Sequence, residues 1–357
     1  MKKKIALVAV GLLAAMAGGF YYYTTTPSYS VLQIRESVES HDVALFEKHV
    51  DVDTLFNRLI DDVMAQQLAK SAGGEKDAWG KLGSAIGAGM VQMIKPTLVS
   101  GLKSSTLQYI ETGDLSKQGS PTAGPTLPAG GATEKASLHG MAANFGMEEG
   151  QVLDYQIEQR GKVAMVTVPY RNEELDLPLQ MQFTLRDQGG YWQLVQFNNA
   201  AELISTIEQE QQRRLVAANS RIEAELGSRV QFVGSEKHNE ADKWEINKKV
   251  YLGVAFESMS DQPLKGWTGT LEVLDADLQP YFAFNANGEF DQPLARGMRE
   301  TMVWKVDINQ FMDGHKELWA APEGKLNVRV KTSLVRFDDG TSIEKLGSYA
   351  ELRKTKG

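Results

Sequence analysis

The segment Leu177-Pro178-Leu179-Gln180-Met181-Gln182-Phe183-Thr184-Leu185-Arg186, followed by Gly189-Gly190 and Tyr191-Trp192-Gln193-Leu194-Val195-Gln196-Phe197, decides the fold of the first half of the chain. Leu177, Leu179, Met181, Phe183 and Leu185 alternate with Pro178, Gln180, Gln182, Thr184 and Arg186. Successive side chains of a strand point to opposite faces, so this period of two describes a strand with one buried face. Gly189-Gly190 turns the chain back as a hairpin, and Gly161-Lys162 plays the same part upstream. From Val152 to Phe197 the chain therefore reads as an antiparallel meander.

Upstream of the meander the period is helical. Val31, Ile34 and Val38 recur on one face, as do Leu55, Leu59 and Val63 beside Phe56, Ile60 and Met64, which predicts two amphipathic helices. Asp42 and Asp53 are expected N-caps for helices starting near Val43 and Thr54. Residues 71 to 101 are rich in small side chains, and Gly83-x-x-x-Gly87 permits close helix approach. The uncharged stretch from Leu82 to Ile94 is too short for a membrane span, so a tightly packed helix of a soluble domain is expected there. A further helix near Leu98 to Ile110 should follow Pro96, and the glycine- and proline-rich stretch from Gln118 to Thr133 reads as a flexible loop. Helices followed by a meander make residues 27 to 197 an α+β domain. This order is also similar to the NTF2-like cone, a fold that often encloses a ligand cavity.

Downstream, Asn198 or Asn199 is placed to cap a long connecting helix over 198 to 228. Leu203, Ile204 and Ile207 are apolar, whereas Glu208 to Arg214 is polar on every side, so the middle of the helix should face solvent. At ~1.5 Å per residue such a helix spans on the order of 45 Å. A coiled-coil seam of Ile204, Gln211, Leu215, Ala218 and Ile222 is the alternative, over too few heptads to be preferred. After Val230 come short β runs at Val250–Ser258, Leu264–Val273, Tyr281–Asn285, Met298–Val306 and Leu326–Phe337. Turn signals separate them, Asp275-Ala276-Asp277 and Asn287-Gly288 among others. This spacing predicts an all-β, immunoglobulin-like sandwich over 229 to 357, with Trp267, Leu271, Val273, Met302, Trp304, Val306, Val328 and Val330 in its core. The stretch from Phe256 through Leu264-Lys265-Gly266-Trp267 is similar to envelope β-sandwich domains.

Residues 1 to 26 are of another kind. Lys2-Lys3-Lys4 precedes an uncharged run from Ile5 to Tyr23 that includes Leu7, Val8, Val10, Leu12, Leu13, Phe20, Tyr21 and Tyr22. Ala15-Met16-Ala17 is a cleavage pattern, which makes a soluble exported protein one reading. The run also approaches the ~20 residues that a bilayer requires and ends in tyrosines suited to the interface. The uncleaved anchor is the preferred reading, with the lysines in the cytoplasm by the positive-inside rule. A single-pass bacterial inner-membrane protein with its body in the periplasm is expected, the cleaved and soluble periplasmic form being the alternative.

Composition narrows the chemistry. Lys and Arg number 38, three of them Lys2 to Lys4, against 46 Asp and Glu, so the body repels phosphate backbones and no nucleic-acid partner is expected. The absence of cysteine removes thiol nucleophiles, thiolate metal sites and disulfides. Five histidines without ligand spacing give no zinc motif, and no cofactor is expected. Asp51, Asp53, Asp61 and Asp62 form the best carboxylate group, but Arg58 lies beside them and capping accounts for Asp51 and Asp53. Asp275-x-Asp277 and Asn285-x-Asn287-Gly288-x-x-Asp291 lack the spacing of a calcium loop. His41 beside Asp42 reads as a helix entry, and neither His41 nor His49 has a nucleophile partner in a recognisable motif. No catalytic, cofactor-binding or metal residues are therefore assigned.

Pro27-Ser28-Tyr29 after the uncharged run, Leu32, Asp42, Val50-Asp51 before Leu55 and Arg58, the small-residue helix ending near Pro96, and Trp192-Gln193-Leu194 together resemble a bacterial envelope family catalogued as domain of unknown function 2939. The resemblance covers most of residues 1 to 197. It implies an anchored, non-cytoplasmic protein with no assigned activity, and it supplies no catalytic residues. The order of modules points to a non-catalytic binding or scaffolding protein with a protein or glycan partner in the envelope. A small-ligand or enzymatic pocket in the α+β domain, lined by the inward strand residues and Trp192, is the alternative. The sequence assigns no oligomeric state.

Overall fold

The computed structural model describes residues 19–72, 88–113, 154–244 and 246–355, with side chains from 67 to 94 left aside. The anchor positions Ile5, Leu7, Val8, Val10, Leu12 and Leu13, the small-residue segment around Gly83 and Gly87, and the expected loop at 118–133 lie outside the described residues. No helix among the described residues is long and apolar enough to cross a membrane. The chain forms two units, Met1–Glu210 and Gln211–Gly357.

In the first unit α1 (Pro27–Glu39), α2 (Val43–His49), α3 (Val52–Ala72) and α4 (Ala88–Thr112) precede a meander of β1 (Gln156–Arg160), β2 (Val163–Asn172), β3 (Leu177–Asp187) and β4 (Trp192–Phe197). The strands pair antiparallel in chain order. The alternation read along 177–186 is realised in β3, whose Leu179, Met181 and Leu185 are buried. Phe46 of α2, Val50 of the turn that follows it, and Val52, Phe56, Leu59 and Ile60 of α3 join Val99, Leu102 and Ile110 of α4 in one core. Ala164, Val166, Leu185 and Trp192 form another on the sheet.

Three local expectations change. Pro96 does not start a helix but lies inside α4. A proline there removes one main-chain donor, and the Leu98–Ile110 stripe packed on the core holds the helix through it. Asp53 does not cap α3: the Asp51 carboxylate accepts from the Thr54 amide at 3.0 Å, and the helix starts at Val52. The Asn199 side chain bonds to the Gln182 amide and the Gln180 carbonyl of β3, at 2.9 and 2.8 Å, rather than to the helix it precedes.

That helix, α5 (Ala200–Arg229), begins in the first unit and ends in the second. Its polar middle is less solvated than its sequence suggests, since Glu208, Glu210, Gln211 and Arg214 are half-buried, and further along the Asn219 side chain exchanges two hydrogen bonds with the main chain of Leu346.

The second unit is built from two antiparallel four-stranded sheets. β5 (Val230–Ala241), β6 (Lys248–Ser258), β9 (Arg299–Asp307) and the short β10 (Gly324–Lys325) form one, in the order β10-β5-β6-β9. β7 (Leu264–Leu274), β8 (Pro280–Leu294), β11 (Val328–Phe337) and β12 (Ser342–Glu344) form the other, in the order β12-β11-β7-β8. Phe256 and Trp267, 4.9 Å apart between ring centroids, centre a core that includes Leu271, Met302, Val335 and Leu226 of α5. A satellite core of Val250, Leu252 and Val273 is closed by Leu318 of α6 (Asp313–Ala320). The last element is α7 (Tyr349–Lys354). The turn expected at Asn287-Gly288 is absent, since β8 runs through it. A Cβ on Gly288 would stand 2.8 Å from the Met302 sulfur, so this glycine serves close approach across the core rather than a reversal.

Candidate functional site

Of the positions that carry the family resemblance, Asp51 and Arg58 meet β4, the strand that carries Trp192, whereas Pro27, Tyr29 and Asp42 shape the helices around it. Pro27 is the buried first residue of α1, where a missing N–H costs nothing, and Thr26 caps the helix by accepting from the Tyr29 amide. Tyr29 packs edge-on against Tyr23, with ring centroids 5.5 Å apart. Asp42 caps α2 by accepting from the Leu45 amide at 2.9 Å.

Alternate residues of β4 then each hold part of the helical layer. At Trp192 the indole N–H donates to the Thr25 carbonyl at 2.8 Å, the amide donates to the buried Ser30 hydroxyl at 3.0 Å, and the carbonyl faces His49 Nδ1 at 3.2 Å. At Leu194 the carbonyl accepts from the Asp51 amide at 2.9 Å, and Val50 forms a parallel bridge. At Gln196 the side chain accepts from Arg58 at 2.7 Å. Trp192 thus fastens the segment that follows the uncharged run to the sheet, through an indole that is itself buried. Pro96 lies inside α4.

His49, which no motif marked, is the buried titratable group of this cluster. Burial holds its pKa below the ordinary value, with neighbouring Lys48 acting the same way and the Trp192 carbonyl opposing. The neutral ring carries its proton on Nδ1, because a carbonyl only accepts, and its edge meets Tyr191 at 5.7 Å. A histidine on the last turn of a short helix carries no periodicity or spacing that distinguishes it from a surface residue.

The carboxylates divide among structural partners. Asp53 pairs with Lys103 and Asp61 with Lys95, both at 2.7 Å and both across to α4. Lys103 is held above the ordinary lysine range by its bond to Asp53. In the second unit the Asp275 carboxylate accepts from the amides of Asp277 and Gln279, Asn285 accepts from Thr270, and the Asn287 carbonyl accepts from the Trp304 indole. Among the described residues no group of three or more His, Asp or Glu side chains is placed to hold a metal ion. His41 lies at φ 58° with its ring on the Ile110 carbonyl at 2.9 Å, a contact from the α1–α2 turn to the end of α4.

A second buried titratable group, Lys237, also escaped sequence reasoning. Lys237 of β5 donates to the carbonyls of Trp319, at 3.0 Å, and Ala321, and Asn239 donates to Trp319 as well. These donors satisfy the open C-terminal carbonyls of α6. Burial pulls the Lys237 pKa down, against the pull of Glu323.

No curated protein and no solved structure matches the chain. Residues 14–102 match a family model, which leaves Trp192 beyond the matched stretch although it bonds to Thr25, Ser30 and His49 within it. That stretch, from the uncharged run through most of the helical layer, is similar to the family described as "Protein of unknown function (DUF2939)".

Proposed function

We propose that the protein is a membrane-anchored, periplasm-facing scaffold whose first unit fixes the chain at the bilayer and whose second unit presents a binding surface. The observation that carries this reading is at the N-terminus. Residues 19–24 are helical, and Tyr21 and Tyr22 are 71% and 74% exposed directly after an uncharged run headed by three lysines. Exposed tyrosines at this point suit the headgroup zone of a bilayer. The clamp from Thr25 and Ser30 to Trp192 transmits that position to a folded unit.

Two finer fold assignments accompany the proposal. The first unit is NTF2-like, on the support of helices preceding a meander whose last strand carries them. The second is an immunoglobulin-like sandwich, with β5-β6-β9 on one side and β12-β11-β7-β8 on the other. In its favour, Trp267 on the third strand packs on Phe256 of the second where related domains place a tryptophan beside a disulfide.

Alkaline phosphatase fused after Gly357 should be active, and the protein should resist carbonate extraction and retain Met1 or Lys2 at its N-terminus. A mature chain beginning at Gly18 would remove the anchor and keep the export. A silent fusion would refute both.

A further inference from the structure

One end of the β-sandwich gathers the β5–β6 turn, the β7–β8 turn and the β9–α6 loop. Ala241 pairs with Lys248 at the first, Leu274 with Pro280 at the second, and the Ile308 amide donates to the Lys248 carbonyl at the third. The satellite core under Leu318 joins them from within. Gly314 of α6 lies so close to Tyr281 of β8 that a Cβ would come within 2.4 Å of its carbonyl, which brings the β9–α6 loop up to the start of β8.

Each of these turns puts large apolar side chains into solvent. Trp244 is 71% exposed, Ile246 67%, Leu278 57%, Phe311 87% and Met312 52%. Leu278 is also one of the few non-glycine residues in the left-handed region, at φ 60°, where asparagine or glycine is the ordinary choice. A leucine that is both strained and exposed is not explained by the stability of its own turn.

Several main-chain amides of the tips have partners within their own turns. Asp242 accepts from the amides of Trp244, Ile246 and Asn247 and from the Asn247 side chain; Asp275 accepts from Asp277 and Gln279; Asn309 accepts from Phe311. Backbone groups with internal partners can enter an apolar phase, whereas a loop that docks to another protein through its main chain keeps them open. The lysines at the tips sit against aromatic faces, Lys243 over Trp244 and Lys248 over Trp319, each at 5.0 Å, so their ammonium groups lie beside apolar surface as they do at a headgroup boundary. Asp242, Asp275 and Asp277 offset them, which disfavours an anionic surface and suits a zwitterionic one.

We propose that this end of the sandwich is a lipid-docking surface, whose tips Trp244, Ile246, Leu278, Phe311 and Met312 enter the interfacial zone of a zwitterionic bilayer. The inference rests on the reading that the protein works at a membrane, but not on its N-terminal anchor. A chain without cysteine gives a direct test. Ile246→Cys, Phe311→Cys and, at the opposite end, Met298→Cys are each labelled with a polarity-sensitive dye in the full chain. Each is then mixed with phosphatidylcholine vesicles containing a nitroxide lipid.

Emission at 246 and 311 should shift blue and be quenched several-fold more than at 298, and should stay so when salt is raised to about 0.5 M, where charge attraction is screened. Leu278→Asn should reduce the quenching while leaving the melting temperature unchanged or higher. Flotation with vesicles but equal, weak quenching at all three sites overturns the docking surface and leaves the anchor standing. Loop quenching that persists when Leu7→Arg and Leu12→Arg interrupt the uncharged run supports docking and separates it from anchoring. A dye response that needs added protein and is insensitive to the nitroxide overturns the lipid assignment.

Discussion

His49 and Tyr170 show how a single buried side chain sets a measurable property. Because the folded state holds the His49 pKa below its ordinary 6.5, the unfolded chain binds the proton more readily. The stability linked to it is therefore complete above about pH 6.5 and is lost as the pH falls below that value toward the depressed pKa of the folded state. Urea titrations from pH 7.5 to 5 should show His49→Asn, which keeps a donor near the Trp192 carbonyl, losing less stability over this range than the parent; equal losses would contradict the assignment. Tyr170 presents the opposite case, a buried hydroxyl with no partner among the described residues, whose burial pushes its pKa to about 12. Tyr170→Phe should raise stability by about 1 kcal/mol, because it removes an unmet hydrogen-bonding group and keeps the ring. A loss in thermal melts would mean that the hydroxyl does have a partner. Asp42 and Trp192 were legible in the sequence because capping and alternation are local rules; His49 and Tyr170 were not, because what isolates them comes from residues distant along the chain.

At the scale of elements, legibility followed how strongly each segment's own pattern opposed its neighbours. β3, β6, β7, β9 and β11 carry apolar alternation and emerge near their expected limits. β5 does not announce itself: only Val230 and Lys237 of its twelve residues are buried, and a bulge between Phe232 and Gly234 breaks its register. α6 is eight residues long and has a glycine in its first turn, too little pattern for a helix to be read. Its termination depends on β5, since Lys237 and Asn239 supply donors to the Trp319 and Ala321 carbonyls. Lys237→Met keeps the apolar stem and removes the ammonium. It should cost about 1–3 kcal/mol, with faster amide exchange at the C-terminal end of α6 and little change in β7. Unchanged exchange in α6 would show that water replaces the lysine without loss.

For the whole molecule, the two ends of α5 belong to different cores. Ala200 lies in the core of α2, α3 and α4, whereas Leu226 lies in the core of Phe256 and Trp267, and each described core cluster draws its members from one unit alone. Sequence periodicity finds such a helix easily but does not assign its turns to cores, since Leu203 and Leu226 carry the same signal. The physical consequence is that damage should remain within a unit. Trp192→Phe keeps one aromatic ring but deletes the pyrrole half of a buried indole together with its bond to the Thr25 carbonyl, a loss of about 2–3 kcal/mol from the first unit. Leu226→Ala removes a fully buried side chain from the second unit and should cost about 2–5 kcal/mol. Urea unfolding of the full chain, followed by far-ultraviolet circular dichroism and by amide exchange at β4 and β7, should resolve two transitions, the substitution at 192 shifting the one reported by β4 and that at 226 the one reported by β7. If either substitution moved both transitions by the same free energy, α5 would be coupling the cores into one folding unit, and the separation of its two ends would have no energetic meaning.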